Sequence, residues 1–437
     1  MALGGGFFTT TNKVLNGAYI NFVSAARTTV NVSDRGVVAL PISLDWGVDG
    51  EVFEVSQTDF QKDSLSIFGY AYTDDALKPL REVFANAVKV YFYKLNSDGA
   101  KATGGIATAK YAGLKGNELK YVVSANIDDE TKFDVKVYVG TTLVNEQTNL
   151  STAAELKDNE FVVWNKEGEL AVSTQVLSGG TNGSELTGAS YQTALDKLEP
   201  YNFNILVCNS LEETVKSLFT AFTKRLRDQQ GVKFQTVIHK YEKADYEGIV
   251  SVENETLDGA NKNELVYWVA GALAGCAVNK SCTNKIYNGE YLVNVDYKQS
   301  EIENGMLTGK FMFHQVENNI RVVTDIDSFI TFTEEKNKDF SKNQIVRVLD
   351  QIGNDIARLF NTKYLGQIPN DKDGRISFWN DVVAFIRTLE SIRAIQDFNS
   401  EDVIVEAVDG NKDAVAVSLA VTPTVAMEKL YMTVIVQ

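Results

Sequence analysis

The chain has 437 residues, of which 44% are hydrophobic and 23% charged. This composition is typical of a folded soluble protein of about two to four domains. The formal net charge of −16 argues against nucleic acid as the main partner. We also expect no membrane insertion, because no run approaches the roughly 18 apolar residues of a spanning helix, and the N-terminus lacks the pattern of a secretory signal.

Residues 1–30 are predicted to form an arm, in which 17–26 is a short strand without an assigned partner. An α/β pattern follows over 31–95, with a strand in 34–47, a helix over 74–87 and a strong strand over 88–95. This order of elements predicts a parallel or mixed sheet.

Helical periodicity is nearly absent from 96–182. Alternating apolar residues, separated by Asn, Asp and Gly, predict strands over 120–127, 133–140, 142–148 and 161–165. The segment is therefore predicted to be a small antiparallel β domain inserted into the α/β part.

The α/β pattern resumes over 183–332. Helices are predicted over 189–199, 210–231 and 263–281, strands over 202–208, 234–240 and 248–254, and a hairpin over 308–332 that turns at 317–319. Ser210 and Glu213 have the spacing of a capping box, and Gly231 is the expected end of the second helix.

The last segment, 333–437, begins with two amphipathic helices, predicted over 341–364 and 377–395. Three strands are predicted to follow, over 402–407, 414–422 and 430–437. The final strand is apolar and β-branched, so it is an aggregation hazard unless it is paired. It pairs either within its own sheet or beside a strand of another subunit.

Few residues are suited to catalysis or to binding a metal or cofactor. Cys208, Cys276 and Cys282 have no zinc or CxxC spacing and are expected to be reduced thiols, and the two histidines, His239 and His314, are expected to be ordinary strand residues. The glycine-rich 177–183 lacks a phosphate-loop spacing, and 370–374 (NDKDG) lacks the remaining ligands of a calcium loop. We expect no catalytic residue, no cofactor and no metal, and hence not an enzyme.

The helix pair differs in charge from the rest of the chain. Residues 331–393 hold ten basic and nine acidic side chains, a net charge of +1. These charges are either ordinary solvated faces or a surface that registers against an acidic partner.

Several phrases carry a resemblance to contractile tail sheath proteins of phages, R-type bacteriocins and related contractile injection systems. The C-terminal phrases are DFSKNQIVRVLDQIGNDI (339–356), NDKDGRISF (370–378), DFNSEDVIV (397–405) and VTPTVAMEKLYMTVIV (421–436). The middle part is similar through WVAGALAGCAVNKSCTNKIYNG (268–289) and IRVVTDIDSF (320–329). The resemblance is weakest over the β insertion, where only the flanks match.

The predicted fold is α+β and multidomain. An α/β middle domain (31–95 and 183–332) holds the inserted β domain (96–182) between the arm (1–30) and a C-terminal α+β sheath domain (333–437). The resemblance implies that the middle domain is subtilisin-like and that both termini donate strands to neighbouring subunits. The implied exchange residues are Gly17, Ala18, Tyr19, Ile20, Asn21, Phe22, Val23, Leu430, Tyr431, Met432, Thr433, Val434, Ile435 and Val436.

The resemblance also implies a function. Subunits would form six-fold rings stacked helically around a tail tube and would contract to drive the tube through a cell envelope. The implied partners are further copies of the chain, the tube protein, and baseplate and tail terminator proteins, and Arg387 and Arg393 are the candidate tube contacts. The chain would reside in a virion tail or bacteriocin particle, after assembly in the host cytoplasm.

Two alternatives remain open from the residues. One is a soluble α/β hydrolase-like enzyme, which the scarcity of histidine and the missing motifs disfavour. The other is a static polymer subunit, which would need exposed pairing strands as much as a sheath does.

Overall fold

The computed structural model of the protein describes residues 34–436, so the predicted N-terminal arm lies outside the described residues. The first described elements form one side of a large sheet: β1 (Val37–Ile42), β2 (Val52–Ser56), α1 (Gln57–Phe68), α2 (Lys78–Phe84) and β3 (Lys89–Lys94). The predicted strand–helix–strand order is confirmed. The sequence interpretation missed β2 and α1. Only Phe60, Ser64 and Phe68 are buried in α1, and only Val55 in β2.

The chain then enters two small antiparallel sheets. Their strands are β4 (Lys101–Gly104), β5 (Ala107–Ala112), β6 (Leu119–Ala125), β7 (Phe133–Val139), β8 (Thr142–Leu150), β9 (Val162–Trp164) and β10 (Ser173–Val176). Their spatial orders are β10-β6-β7-β8 and β4-β5-β9, and a separate apolar core lies around Tyr121, Val135 and Trp164. The four strands predicted here are confirmed.

The chain returns to the large sheet through ten elements. They are α3 (Gly188–Leu198), β11 (Ile205–Cys208), α4 (Glu213–Lys224), β12 (Gln235–His239), β13 (Ile249–Val252), α5 (Leu265–Ala274), α6 (Gln299–Leu307), β14 (Lys310–Phe311), β15 (Phe313–Val316) and β16 (Asn319–Val322). The predicted hairpin is formed by β15 and β16.

The seven-stranded middle sheet has the order β14-β13-β12-β11-β1-β3-β2. Its neighbours are parallel, except that β2 runs antiparallel to β3. The predicted mixed sheet is therefore confirmed. Apolar cores cover both faces, one centred on the fully buried helix α5 and the other on α3 and α4.

Helices α4 and α5 each differ at one end from the sequence prediction. The capping box of Ser210 and Glu213 is wrong, because α4 begins one residue after Glu212, and the Ser210 hydroxyl accepts a hydrogen bond from the Glu212 amide at 3.1 Å instead. Helix α5 ends at Ala274 rather than at 281. Gly231 does end the α4 region, after a π-helical turn over Arg225–Gln230, with a φ of 77°.

The C-terminal elements are α7 (Asn343–Leu359), α8 (Lys372–Ser391), β17 (Ile395–Gln396), β18 (Val403–Val408), β19 (Asn411–Leu419) and β20 (Thr422–Pro423). Both helices were predicted, but α8 begins earlier because Asp371 caps it by accepting a hydrogen bond from the Gly374 amide at 2.7 Å. None of the helices in residues 34–436 is long and apolar enough to cross a membrane.

Helix α7 is attached to the middle domain by buried ion pairs, to Arg227 in the π-helical turn after α4 and to Asp325 in the segment after β16. Arg227 donates two hydrogen bonds to Asp350, at 2.6 and 2.8 Å, and the side chains are only 4% and 11% exposed. Arg347 pairs with Asp325 at 3.2 Å, with both side chains 1% exposed. Charges buried this deeply are tolerated only when each has its partner, so the helix is fixed in position and orientation.

We expect Asp350→Ala to lower the free energy of unfolding by roughly 3–5 kcal/mol, because it leaves Arg227 buried without its counter-ion. Urea denaturation followed by circular dichroism measures the loss. The control is Lys136→Ala, which breaks the surface pair with Glu146, whose side chains are 38% and 42% exposed, and should cost no more than about 1 kcal/mol. Equal losses in the two variants would contradict the expected role of the buried pair.

His239, at the end of β12, should make stability depend on pH. Burial, and then the nearby Lys240, lower its pKa from the usual 6.5 to about 4. Protonation therefore favours the unfolded chain, and stability held above pH 6.5 is lost as the pH falls from 6.5 towards 4. Between pH 7.5 and 5.5 the chain should lose up to about 1.4 kcal/mol more free energy of unfolding than His239→Gln does. Parallel losses in urea titrations would rule out this effect.

Candidate assembly surface

The last described residues, 430–436, form an exposed apolar segment, which we call the C-terminal arm. Its six large apolar side chains are between 73% and 91% exposed: Leu430, Tyr431, Met432, Val434, Ile435 and Val436. The predicted strand is wrong for the subunit by itself, because the arm forms no strand with any other part of 34–436. Pairing within its own sheet is therefore not seen.

The arm starts from a fixed point. The Ala426 amide donates a hydrogen bond to the Gln344 side chain at 3.0 Å. Two residues later, the Glu428 carboxylate accepts hydrogen bonds from Lys342 Nζ at 2.5 Å and from Thr283 Oγ1 at 2.7 Å. The chain is thus held to α7 and to the middle sheet's loops until the arm begins.

Strands β18 and β19 form a hairpin that pairs with no other strand in the described chain. One face rests on α8, where the Trp379 indole donates a hydrogen bond to the Val403 carbonyl at 2.8 Å. The opposite face carries Ile404, which is 47% exposed, beside Ser418, whereas Val417 lies on the α8 face and is 38% exposed. The hairpin therefore offers two unpaired edges.

A groove of about 310 Å³ lies beside β19, between the end of α7 and the start of α8. Its walls include Phe360, Tyr364, Phe378 and Val415. The Tyr364 hydroxyl donates a hydrogen bond to Asp381 at 2.5 Å, and burial together with this carboxylate raises the tyrosine pKa to about 12. The tyrosine therefore stays neutral, and the groove could take an apolar side chain next to the hairpin.

The two candidate tube contacts, Arg387 and Arg393, do not lie on the same element. Arg387 is exposed on α8, on the same face as Ile376, Asn380 and Ala384. Arg393 is also exposed but lies beyond the end of α8, at a positive φ of 60°. Neither forms an ion pair with another described residue, whereas five other basic residues of 331–393 do: Lys336, Lys342, Arg347, Arg358 and Lys363.

The residues considered for catalysis and metal binding lie in strands or at a helix cap. His239 is 3% exposed within β12, and His314 lies in β15. Asp371 uses its carboxylate to cap α8. Among residues 34–436, no group of three or more His, Cys, Asp or Glu side chains is arranged to hold a metal ion.

Sequence reasoning missed the anchoring of the arm. Glu428 is the one acidic residue between the apolar stretch before it and the arm after it, which is a signal that could have marked the junction. Its partners, Lys342 and Thr283, are 86 and 145 residues away in sequence, so they could not have been found from local patterns.

Comparison with known proteins gives a consistent result along the chain. Sequence models of four phage tail sheath regions match: the tail sheath protein Gp18 domain III N-terminal region (35–95), the β-sandwich domain (97–182), the central domain (184–328) and the C-terminal domain (335–437). The chain is 34% identical to the uncharacterized protein YqbK of Bacillus subtilis, with 99% of each chain covered.

Solved structures agree. The sheath tail protein of Desulfitobacterium hafniense has a TM-score of 0.80 at 34% identity, with 93% of this chain and 96% of that chain covered. The helical sheath of the anti-feeding prophage in its contracted state shares the fold, with a TM-score of 0.56 at 12% identity and 96% and 99% covered. With its mixed α+β multidomain fold, the chain belongs to the phage tail sheath protein family.

Proposed function

We propose that the chain is the subunit of a contractile sheath that polymerises as stacked six-fold rings around a tail tube. Contraction of the polymer would drive the tube through the target cell envelope. The observation that carries this proposal is that one subunit holds two complementary features. These are an anchored apolar arm without a partner among the described residues and a hairpin with two unpaired edges.

The arm of one subunit would add a strand to the β18–β19 hairpin of a neighbour. Seven extended residues span roughly 23 Å, and β18 and β19 have six and nine residues, so the arm can pair over most of an edge. Backbone hydrogen bonds would supply affinity, and alternate side chains of the arm would extend the two faces of the hairpin, one of which exposes Ile404 and the other Val417. The N-terminal residues 17–23 are the proposed occupant of the other edge.

The arm would join two subunits strongly and still let them rotate relative to each other. The arm is anchored by Glu428 in its own subunit and by backbone pairing in the next, while no packed core crosses the connection. Subunits could therefore rotate and separate radially as rigid bodies without losing the link. The buried pairs Arg227–Asp350 and Arg347–Asp325 would keep each subunit rigid during that motion.

Arg387 and Arg393 are proposed to face the tube. They are exposed and carry no ion partner within the described chain, on a segment that is net basic in a protein of net charge −16. Their charges are thus free to pair with an acidic tube surface. The further proposed partners are baseplate and tail terminator proteins, and the proposed location is a virion tail or bacteriocin particle after assembly in the host cytoplasm.

The likeness of the middle domain to subtilases is proposed as one of fold alone. It would concern the largely parallel sheet and its helices on both faces. Because His239 is buried within that sheet, we propose a mechanical role for the middle domain and not a hydrolytic one.

Deleting Leu430–Gln437 should leave a folded subunit that no longer polymerises, because the donated strand is lost. Negative-stain electron microscopy of the purified chain should show hollow helical cylinders, and the variant should show dispersed particles with an unchanged circular dichroism spectrum. A matched variant replaces 430–436 by alternating Ser and Gly, which keeps the length and removes the apolar side chains, and it should also fail to polymerise.

Deleting Met1–Ala25 should likewise leave a folded subunit that no longer polymerises. Full-length cylinders from either truncation would refute strand exchange.

Arg387→Glu should weaken assembly on the tube and leave the sheath's own polymer intact, because the side chain is exposed and forms no ion pair with another described residue. Co-expression with a tube protein, followed by pull-down and electron microscopy, measures both properties. The matched control is Lys136→Glu, on the β insertion, which should change neither. Unchanged tube binding by the Arg387 variant would remove this residue from the interface.

A further inference from the structure

A second apolar groove, which we call the root groove, opens where the C-terminal arm begins. It has a volume of about 590 Å³ and lies between α6, the segment 323–332 and residues 428–429. Four of its apolar side chains are well exposed, namely Leu307 at 76%, Phe332 at 45%, Ile330 at 39% and Met306 at 36%. An apolar surface of this kind, surrounded by polar residues, usually marks a docking site.

A buried carboxyl among the lining residues is incompletely paired. Asp327 is fully buried, and its Oδ1 accepts a hydrogen bond from the Phe329 amide at 2.9 Å. Its Oδ2 has no hydrogen-bond partner within residues 34–436. Burial raises the pKa of this carboxyl well above its usual range. Because neither the residue nor Oδ2 is exposed, the carboxyl does not reach the groove surface, and docking there rests on the apolar side chains.

The C-terminal arm is the peptide that begins at this groove. Lys429 lines the groove, and Glu428 is held there by Lys342 and Thr283. The next residue, Leu430, is already part of the arm. The arm carries no charged side chain through Val436, so it can enter an apolar groove without burying a charge.

We propose that, in a subunit that has not yet joined the polymer, Leu430–Val436 folds back as a strap over its own root groove. The strap would cover Leu307, Ile330 and Phe332 together with its own apolar side chains. It would open when a neighbouring hairpin accepts the arm. This second half rests on the proposed strand exchange, whereas closure of the strap does not.

Connectivity favours the subunit's own arm over that of a second copy. The arm is joined directly to Lys429, so its effective concentration at the groove is in the millimolar range or above, far higher than that of a free subunit. Modest apolar contact is then enough to keep the strap closed. Strand pairing in the polymer would displace it, because pairing adds a row of backbone hydrogen bonds that the groove does not offer.

Cross-linking of the full chain tests the strap. In a Cys276→Ser background, Leu307→Cys is combined with Met432→Cys, and in a second variant with Thr433→Cys, so that both faces of the arm are sampled. The control combines Met432→Cys with Ile127→Cys, which is 95% exposed on the β insertion. Freshly diluted protein is treated with a short bis-maleimide, and products are read by denaturing gel and by mass spectrometry of the linked peptides.

We expect a product of single-chain mass that joins the groove and arm cysteines, at about tenfold or more over the control pair. A product of two-chain mass would mean that a second copy fills the groove, and no excess over the control would mean that the arm stays out; either result overturns the strap. Electron microscopy of the unsubstituted chain reports on the polymer. Absence of cylinders from the unsubstituted chain, with the single-chain product formed by the cysteine variants, would overturn the proposed function and leave the strap standing.

Discussion

The structure depends on two ion pairs buried between α7 and the middle domain. Arg227–Asp350 and Arg347–Asp325 lie where water does not reach them, and each charge would be costly without its partner. The contact is stable when both ion pairs are formed and strongly unfavourable when one of them is broken. A small shift of α7 would break a pair, so α7, together with α8 and the hairpin packed on α8, keeps one position on the middle domain. A polymer that changes shape by moving whole subunits needs this rigidity within the subunit.

The C-terminal arm, in contrast to these buried ion pairs, is exposed and is not packed against the subunit. Its six apolar side chains contribute nothing to the subunit's own core, and in this structure they are exposed, which is an aggregation hazard unless the arm is paired or covered. The cores around α5, around α3 and α4, in the β insertion and around α8 are complete without them. Folding and assembly thus use separate residues, so the subunit can reach its folded state before it meets a neighbour. Glu428 holds the start of the arm against the folded subunit without making the arm part of its core.

Local patterns in the sequence were sufficient for the elements whose causes are local. The apolar spacing in α7, the uninterrupted apolar character of α5 and the alternation in β6 and β7 all predicted the right element. The start of α8 was missed because Asp371 caps it ahead of the apolar face, and the wrong cap at Ser210 came from spacing without geometry. The partners of Arg227, Arg347 and Glu428 lie 123, 22 and 86 or more residues away. No periodicity predicts such contacts. The residue pattern marked the final apolar run as a strand that needs a partner, and the resemblance to sheath proteins indicated that a neighbouring subunit supplies it.

The edges of the middle sheet limit how the polymer can grow. One edge is β14, which has only two residues, and the other is β2, where Glu54 holds an ion pair with Lys89 of the neighbouring strand. A two-residue edge and a charged one are poor templates for a foreign strand. In the proposed strand exchange, the hairpin of β18 and β19 is therefore the more suitable site for an incoming arm. Because the largest sheet offers no suitable edge, few wrong pairings between subunits would be available, and the geometry of the sheet would itself limit errors in the lattice.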